Sequence, residues 1–505
     1  MSASTPLTDH IRSPRLLLAA VATMLLLSSL DQTIVSTALP TIVAELGGID
    51  HLSWVVTAYL LTSTVVAPLY GKLGDLYGRK LMMQISVVLF LLGSALAGQA
   101  TSMLFLILAR ALQGVGGGGL FVVALTVIAD VVPPRERGKI QGIFGGVFSL
   151  SAIAGPLIGG YFTQHLTWRW IFYVNIPLGI FALVVFALAF KPTGIRTGHK
   201  IDYLGAVLLT AALSSVVLFT SLGGRSFAWD SSFILGLIAI AVLALPVFLL
   251  VEKRAIEPIL PLALFSHSTF VIFVMIGAIV AAGMFGAATF LPLYLQVAKG
   301  MTPTASGLQM VPMMLGTMVG SIGSGQIMGR TGHYRRLPQV GMAVLTLGML
   351  SLTQLQPDTS RLTLVAMMAM IGVGMGPAMS VGTTAIQNAV PRQMLGVATS
   401  GLTLFRQVGG SVGVAIFGAL FASGLAARLA GLLAPGTNAG AFGAAQVAAL
   451  PLEARAAVAK AFTDSMHPIF AIAAGLASVA FVLSLLIVEK PIENRVRRPD
   501  AGPKH

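Results

Sequence analysis

The stretch GKLGDLYGRK, Gly71–Lys80, recurs in weakened form in the second half of the chain as GQIMGRTGHY, Gly325–Tyr334. Two further landmarks follow each copy in the same order. They are QGVGGGG (Gln113–Gly119) with IGVGMGP (Ile371–Pro377), and PRERGK (Pro134–Lys139) with PRQMLGV (Pro391–Val397). Three matched landmarks in one order indicate two homologous halves, so the repeat predicts a molecule built from two equivalent bundles.

The composition around these landmarks is typical of a membrane protein. Apolar residues make up 56% of the 505 positions, charged residues only 10%, and the mean hydropathy is +0.89. Soluble domains carry roughly 25% charged residues. Apolar runs of about 20 residues, the length that a bilayer-spanning helix needs, recur along the chain. They predict fourteen transmembrane helices at residues 15–39, 52–71, 81–100, 102–129, 138–162, 170–190, 201–222, 231–251, 268–296, 304–328, 337–355, 361–386, 396–422 and 467–488.

Basic residues determine the predicted orientation, because Lys and Arg concentrate in cytoplasmic loops. With the N-terminus in the cytoplasm, 22 of the 31 Lys and Arg residues fall on cytoplasmic segments and 7 on outer loops. The other two, Arg110 and Arg406, lie within helices. Both termini are therefore predicted to be cytoplasmic. The net charge of +14 follows from this loop topology, so no nucleic-acid partner is expected.

Two of the fourteen helices are left over when the halves are matched, and they are predicted to be an insertion. The predicted organisation is a cytoplasmic N-terminus at 1–14, an N-terminal six-helix bundle at 15–190, an inserted two-helix segment at 191–255, a C-terminal six-helix bundle at 256–488 with a long outer loop at 423–466, and a basic cytoplasmic tail at 489–505. Within that loop, EARAAVAKAF (Glu453–Phe462) predicts a short amphipathic helix outside the membrane.

Several motifs in a fixed order carry a family resemblance. They are LDQTIVSTALP (Leu30–Pro40), WVVTAYLL (Trp54–Leu61), GKLGDLYGRK, LARALQGVGGG (Leu108–Gly118), GGVFSLSAIAGPLIGG (Gly145–Gly160) and WRWIFYVNIPLG (Trp168–Gly179). The chain resembles the fourteen-helix major facilitator transporters of the drug:proton antiporter-2 family, the QacA/EmrB-like group. The resemblance implies an all-α membrane protein with the major facilitator fold, fourteen transmembrane helices arranged 6 + 2 + 6, and a binding site near the midplane between the halves.

The GKLGDLYGRK motif is, by this resemblance, a cytoplasmic gate. Its glycines, Gly71 and Gly78 among them, let two helix ends approach closely. Asp75 is expected to dock on the positive N-terminal end of a helix from the other half, while Arg79 and Lys80 face the cytoplasm. An ordinary positive-inside loop is the alternative. The second copy has Gly329 where the first has Asp75, so the gate is expected to be strong on one side only.

The fifth helix carries the glycine-rich motif that the resemblance assigns to antiporters. Its residues are Gly146, Gly155, Pro156, Gly159 and Gly160. The resemblance implies a hinge and a tight seal against the partner half, a feature that distinguishes exporters from uptake relatives. Close helix packing without any effect on direction is the alternative.

Only one of the 17 acidic residues, Asp31, lies deep within a predicted helix. Counting from the outer helix ends places Asp31 and Arg110 at one depth, about 12 Å below the outer surface, with Gln32 and Gln113 alongside. Desolvation favours a neutral carboxyl group, whereas a nearby guanidinium favours the carboxylate. Asp31 is therefore predicted to carry the coupled proton, with Arg110 setting its affinity. A permanent ion pair that only joins two helices is the alternative.

The predicted cargo cavity is lined by amphipathic residues of the central helices. The candidates are Gln32, Trp54, Tyr59, Gln113, Phe290, Tyr294, Gln296 and Arg406. A position in the interfacial aromatic belt is the alternative for Trp54 and Tyr59. Three alternatives stay open for Arg406: bonding to helix carbonyls, pairing with Asp31 across the cavity, or attracting an anionic cargo. Because no further membrane carboxylates are present, a lipophilic monocation or a neutral or zwitterionic compound is favoured over a dication.

Enzyme chemistry finds little support in this sequence. The chain has no cysteine, no paired metal-ligand spacing and no Walker sequence, since GVGGGG (Gly114–Gly119) lacks the following Lys-Ser/Thr. No cofactor or metal is expected, and an ion gradient is the predicted energy source. The sequence thus predicts a monomeric, multi-pass protein of the bacterial plasma (inner) membrane that exports small hydrophobic organic compounds in exchange for protons. A dedicated exporter of one metabolite, antibiotic or lipid, a proton-coupled uptake symporter, and a non-transporting membrane protein are the alternatives.

Overall fold

The computed structural model describes residues 13–47, 51–190, 202–224, 226–429 and 452–489, and it is almost entirely α-helical there. The helices are α1 (Pro14–Leu46), α2 (Leu52–Tyr77), α3 (Arg79–Gly98), α4 (Met103–Val131), α5 (Pro134–His165), α6 (Trp170–Tyr173), α7 (Asn175–Ala189), α8 (Tyr203–Leu222), α9 (Ser232–Glu252), α10 (Ser268–Val297), α11 (Pro303–Gln309), α12 (Val311–Thr331), α13 (Arg336–Leu352), α14 (Arg361–Ala389), α15 (Leu395–Leu429) and α16 (Leu452–Leu485). Short 3-10 helices cover Leu262–Ser266 and Arg392–Met394.

These helices form fourteen spans, which confirms the predicted fold class. The short helices α6 and α11 each precede a longer helix, so that α6 with α7 and α11 with α12 make one span apiece. Twelve spans meet simple length and hydropathy requirements for crossing a bilayer. Helix α13 is apolar but has only 17 residues, and α12 is rich in glycine and serine, which lowers its hydropathy.

The glycines of the two repeated QGVGGGG-type landmarks explain how each half packs. In α4, added side-chain atoms at Gly114 and Gly118 would overlap α2, and one at Gly116 would lie 2.6 Å from the Cα of Phe90 in α3. In α14, Gly372 is pressed in the same way against α12 and Gly374 against α13. Each glycine-rich helix is therefore wedged between two neighbours at backbone distance, as small residues permit in membranes. The equivalent contacts in both halves confirm the internal repeat.

The inserted helices α8 and α9 pack on the outside of the two bundles. Helix α8 contacts α2 and α15, one helix from each half, while most of α9 is exposed to the surroundings. The segment after α9 is fixed to the first half by an ion pair of 2.5 Å between Lys72 Nζ and Glu257 Oε2. Nearby, the buried carboxylate of Glu252 accepts a hydrogen bond from the backbone N–H of Leu260.

The outer end of the second half differs from the sequence-based prediction. Helix α15 continues to Leu429, and α16 begins at Leu452, so helix occupies both edges of the predicted outer loop. Glu453–Phe462 is therefore the first part of the last long helix, not a separate amphipathic one. The reason is apolar contact, because Val458 and Phe462 pack on Leu425 and Leu429. The remainder of that loop, residues 430–451, lies outside the described residues, as do the predicted N-terminus 1–12, residues 191–201 and the tail from 490 onward.

The two halves meet mainly at their cytoplasmic ends. Helix α2 packs on α15, and α5 packs on α12 and α14. Gly142 of α5 lies so close to α12 that an added Cβ would be 2.6 Å from the carbonyl oxygen of Ser321. These contacts lie on the side of the central space that the sequence predicts to face the cytoplasm. We call this arrangement the cytoplasm-closed form.

Candidate coupling network, cargo cavity and cytoplasmic gate

Asp31 lies on α1 at the centre of a fully buried polar cluster. Its Oδ2 accepts a hydrogen bond from Arg110 Nη1 at 2.5 Å. Its Oδ1 accepts from Gln113 Nε2 at 2.7 Å and from Asn175 Nδ2 at 3.2 Å. The structure thus brings Asp31, Arg110 and Gln113 together, whereas Gln32, which was expected alongside them, lies in the cavity wall. Both carboxylate oxygens of Asp31 are engaged.

Two members of the cluster were not predicted from the sequence. Ser94 of α3 accepts hydrogen bonds from Gln113 Nε2 at 2.6 Å and from Asn175 Nδ2 at 2.9 Å. Asn175 begins α7 and is the one side-chain amide in the quoted WRWIFYVNIPLG motif. That polar side chain in an otherwise apolar helix could have indicated its role from the sequence. Ser94 carries no such signal. We call Asp31, Arg110, Gln113, Asn175 and Ser94 the coupling network; it joins four helices of the first half.

The guanidinium of Arg110 is held on several sides. Its Nε donates to the carbonyl of Val55 at 3.3 Å, and its Nη1 also donates to Gln113 Oε1 at 2.7 Å. Its central carbon lies 4.4 Å from the ring centroid of Tyr59, a distance at which the ring face attracts a cation. Protein groups thus surround the charge pair on several sides. Breaking such a pair by removing one partner typically costs about 3–5 kcal/mol.

A cavity of about 980 Å³, including the part that opens to solvent, lies between the two halves and is here called the cargo cavity. Both halves contribute to its wall, which includes Gln32, Tyr59 and Phe121 from the first and Met284, Arg406 and Gln407 from the second. Asp31 and Arg110 are not part of this wall. Since the ring of Tyr59 lines the cavity and also covers Arg110, Tyr59 separates the cargo cavity from the coupling network.

Three of the predicted cavity residues, Gln32, Tyr59 and Arg406, lie in the cavity wall. Gln113 belongs instead to the coupling network. Trp54 is half-buried near the outer start of α2 and is not part of the wall.

Three residues of α10 correct the sequence-based expectation. Phe290 packs on Phe421 at 5.4 Å between ring centroids, and the hydroxyl of Tyr294 donates to the Gln356 carbonyl at 2.5 Å. Gln296 donates to Ser306 Oγ at 3.0 Å. They therefore join helices within the second half and do not line the cargo cavity. The polar groups of Tyr294 and Gln296, which suggested cargo contact, form these hydrogen bonds instead.

Arg406 extends from α15 into the cavity wall. Its Nη2 donates to the carbonyl oxygen of Ala378 at 2.8 Å, so one of the three alternatives, a bond to a helix carbonyl, is present. Pairing with Asp31 is absent in the cytoplasm-closed form, because Arg110 occupies that carboxylate. Within the described part of the chain, Arg406 forms no ion pair.

The candidate cytoplasmic gate consists of Asp75 and Arg79 from the first half and the backbone of Gly396 and Val397 from the second. Asp75 accepts hydrogen bonds from the N–H groups of Gly396 and Val397, each at 3.1 Å, at the start of α15. This end of a helix carries positive partial charge and unsatisfied N–H donors. Gly71 allows the approach, since an added Cβ would lie 2.7 Å from the Gly396 carbonyl oxygen.

The position of Arg79 was predicted wrongly. It does not face the cytoplasm but is 5% exposed, bound to Asp75 and, through Nε at 3.2 Å, to Asp130 at the end of α4. Two carboxylates hold it in place, and Asp130 is a gate residue that the motif alone did not indicate. Lys80 donates to the Ala187 carbonyl at 2.7 Å. Gly78 has φ of +94°, a conformation that side chains other than glycine rarely adopt.

The second copy of the gate motif packs glycine backbone and the apolar side chain of Met328 against α5. Gly325 of α12 is pressed against the carbonyl of Gly138 in α5, and Gly329 approaches the Arg135 carbonyl. No carboxylate occupies the position equivalent to Asp75. The two sides of the cytoplasmic closure therefore differ in chemistry: one is charged and the other is glycine packing.

The glycine motif of α5 divides into two contact surfaces, which corrects the predicted seal. Gly155 and Gly159 pack against Thr33 and Thr37 of α1, in the same half. The contact with the other half is made by the cytoplasmic part of α5, including Gly142 and Gly146, against α12. Helix α5 continues through Pro156. The motif thus extends N-terminally beyond the residues that the resemblance emphasised.

Adjacent glycines of this motif offer a matched test of the α1–α5 packing. Valine at position 159 would overlap the Thr37 hydroxyl and approach the Ile34 carbonyl, whereas Gly160 has open space around it. We expect Gly159→Val to lower the unfolding free energy by about 1–3 kcal/mol because of overpacking. Gly160→Val is the control, since the helix is the same and the space is free. Thermal unfolding of the purified proteins in detergent measures both, and equal shifts would contradict the packing described here.

The fold and the site define a class of protein. Two equivalent helical bundles around a midplane cavity, closed at one side of the membrane, are the structure of a transporter that works by alternating access. The sequence profile of the Major Facilitator Superfamily matches residues 21–203 and 201–414. The chain belongs to the major facilitator superfamily, and it is therefore a multi-pass membrane transporter and not an enzyme.

Its relatives include proteins named for multidrug transport or multidrug resistance. The multidrug transporter protein MdtP of Bacillus subtilis is 41% identical over 407 residues, covering 80% of this chain and 75% of the relative. Multidrug resistance protein 3 of the same bacterium is 36% identical over 394 residues, covering 78% and 77%. An MFS-type transporter of Mycobacterium tuberculosis is 40% identical over 499 residues, covering 97% and 72%.

Solved structures share the fold at low sequence identity. The human organic anion transporter MFSD10 has a TM-score of 0.63 at 13% identity, covering 94% of this chain and all of that one. The proton:xylose symporter XylE has a TM-score of 0.58 at 14% identity, covering 91% and 94%. These identities are too low to extend beyond the fold.

Proposed function

We propose that this protein exports hydrophobic organic compounds from bacteria by proton antiport, as a monomer in the inner membrane and as a member of the drug:proton antiporter-2 family. The observation that carries this proposal is the position of the buried Asp31–Arg110 pair, which the ring of Tyr59, a residue of the cavity wall, covers on the side of Arg110. The name of the multidrug transporter MdtP supports organic compounds as cargo, and relatives named as efflux pumps support export as the direction. The proton gradient is the proposed energy source.

The buried ion pair gives protonation a conformational effect. In the cytoplasm-closed form, Asp31 accepts hydrogen bonds on both oxygens and balances the charge of Arg110. A proton on Asp31 removes that balance and leaves a cation in an apolar bundle, a state of much higher free energy. The bundle is then driven towards an arrangement in which Arg110 reaches water or another acceptor. Loss of the proton on the cytoplasmic side restores the pair and the cytoplasm-closed form.

The gate transmits this change between the halves. Opening to the cytoplasm requires Asp75 to leave the N–H groups of Gly396 and Val397, while Arg79 keeps Asp130 as a partner. The charged contact therefore stabilises the cytoplasm-closed form without fixing it permanently. The glycine packing of α5 on α12 separates without loss of a charged bond.

The proposal predicts energy-dependent export in living cells. A bacterial host lacking its own efflux pumps, expressing this chain, is loaded with a panel of neutral and charged fluorescent compounds. We expect faster loss of at least several compounds than in the empty host, and we expect an uncoupler to abolish the difference while ATP is maintained by glycolysis. Unchanged export after collapse of the proton gradient would contradict proton coupling. Faster accumulation would identify uptake.

A further inference from the structure

We propose that Arg406 forms an anion-binding subsite in the cargo cavity, so that the preferred cargo is an amphipathic compound with one carboxylate or sulfonate group. This inference deepens the proposed export function and rests on it, because an anion bound in this cavity is cargo only if the protein exports it. It also revises the expectation of a lipophilic monocation, which was drawn from the scarcity of acidic residues alone.

The first observation is an unbalanced charge in the cavity wall. Arg406 lies in the wall, partly buried, and its Nη2 donates to the carbonyl oxygen of Ala378 at 2.8 Å. The wall contains no Asp or Glu, and Asp31 is committed to Arg110 behind Tyr59. A cation in this cavity would face a like charge, whereas an anion would meet an opposite one across a medium of low dielectric.

The second observation is independent of that charge. Ser29 and Tyr59 both belong to the cavity wall and are 6% and 1% exposed as residues. The Ser29 hydroxyl has no hydrogen-bond partner among the described residues, and the Tyr59 hydroxyl lies within hydrogen-bonding reach of Ser28 and Gln32. Buried hydroxyls are normally satisfied, so an unpaired one in a cavity wall points to a ligand or water. A carboxylate or sulfonate accepts several hydrogen bonds at once and can use these donors together with the guanidinium.

The rest of the wall suits the body of an amphipathic molecule. Phe121, Phe148, Met284, Phe285 and Met379 supply aromatic rings and thioethers. Such walls bind apolar surfaces of varied shape, with a few polar groups to orient the ligand. Space for the guanidinium is provided by Gly277, where an added Cβ would lie 3.3 Å from Arg406 Nε.

An anionic cargo has an energetic consequence. Exchange of a monoanion for one proton moves two charges, and the inside-negative potential drives both movements. Each charge adds roughly 50-fold to the attainable concentration ratio per 100 mV. Exchange of a monocation for one proton moves no net charge and gains nothing from the potential.

Two fluorescent probes that differ mainly by one sulfonate test the subsite. They are 8-anilinonaphthalene-1-sulfonate and the neutral N-phenyl-1-naphthylamine. Binding to purified protein is measured by equilibrium dialysis against matched detergent buffer. We expect Arg406→Gln to weaken sulfonate binding about tenfold or more while binding of the neutral probe stays within about twofold. Arg406→Lys retains the charge and should lie between. Arg428→Gln, an exposed arginine outside the cavity wall, is the control.

The outcomes separate the subsite from the proposed function. Retained binding of the neutral probe shows that Arg406→Gln is folded. Equal weakening of the binding of both probes, or sulfonate binding unaffected by Arg406→Gln, would overturn the inference.

Transport in proteoliposomes with a potassium potential set by valinomycin is the second measurement. Export of the neutral probe without binding of the sulfonate rejects the subsite and leaves the transport function standing. Sulfonate binding that needs Arg406, without transport of either probe, rejects the function and supports the subsite.

Discussion

Asp31→Asn is expected to abolish proton-driven export and to destabilise the protein. Asparagine cannot carry the proton, and its amide nitrogen presents donors where Arg110, Gln113 and Asn175 already donate. Arg110 is left as a buried cation without a counter-charge, which costs about 3–5 kcal/mol and corresponds to a shift of roughly 100- to 5,000-fold in a conformational equilibrium. Export is measured in proteoliposomes with an imposed pH gradient, and stability by thermal unfolding in detergent.

A matched control and a double variant separate the two effects. Glu45→Gln removes an acid from the same helix, but Glu45 is half-exposed and paired with Arg169 at the outer end. We expect its export to remain close to that of the unmodified protein. Asp31→Asn with Arg110→Gln removes both charges, so stability should recover while coupling stays absent. Full coupling in the single variant would show that Asp31 serves only as a structural ion pair.

Asp75→Asn is expected to shift the protein away from the cytoplasm-closed form. Asparagine offers one acceptor oxygen in place of two, so either Gly396 or Val397 loses its hydrogen bond, and Arg79 loses one of its two carboxylates. Bonds to a charged group contribute about 1.5–3 kcal/mol each, so the population of the closed form should fall by roughly 10- to 100-fold. Export should fall with it.

The absence of cysteine from the chain permits a direct measurement of this shift. Gln32→Cys places one thiol at an exposed position in the cargo cavity. A membrane-impermeant maleimide added from outside should label this reporter readily, and Asp75→Asn should slow the labelling. Asp464→Asn, which affects an acid paired with Lys460 on α16, is the control. An unchanged labelling rate in the Asp75→Asn protein would contradict the assignment of Asp75 to the gate.

The sequence was sufficient for the fold because membrane topology is governed by few and strong constraints. Span length predicts the number of transmembrane helices, and loop charge predicts their orientation. The repeated glycine landmarks predict the two bundles. The pairing of Asp31 with Arg110 was also accessible, since depth along a helix can be counted at 1.5 Å per residue. The nearness of the two helices that carry these residues was implied by the family resemblance.

The direction in which individual side chains point could not be predicted from the sequence. Phe290, Tyr294 and Gln296 lie on a helix that contributes to the cavity, yet they point into their own half. Arg79 was assigned to the cytoplasm because basic residues usually face it, whereas two carboxylates hold it inside. Ser94 escaped notice because a single serine disturbs the apolar pattern of a membrane helix very little.

The central claim, that Asp31 couples proton movement to cargo movement, is tested most directly by a pH-sensitive dye sealed inside proteoliposomes. The vesicles contain purified protein and a compound from the fluorescent panel that the cells export, and no pH gradient is imposed at the start. We predict that release of the compound down its own gradient changes the internal pH in the unmodified protein and in Glu45→Gln. In Asp31→Asn the internal pH should stay constant although the compound still binds. A pH change of equal size in Asp31→Asn would contradict the claim.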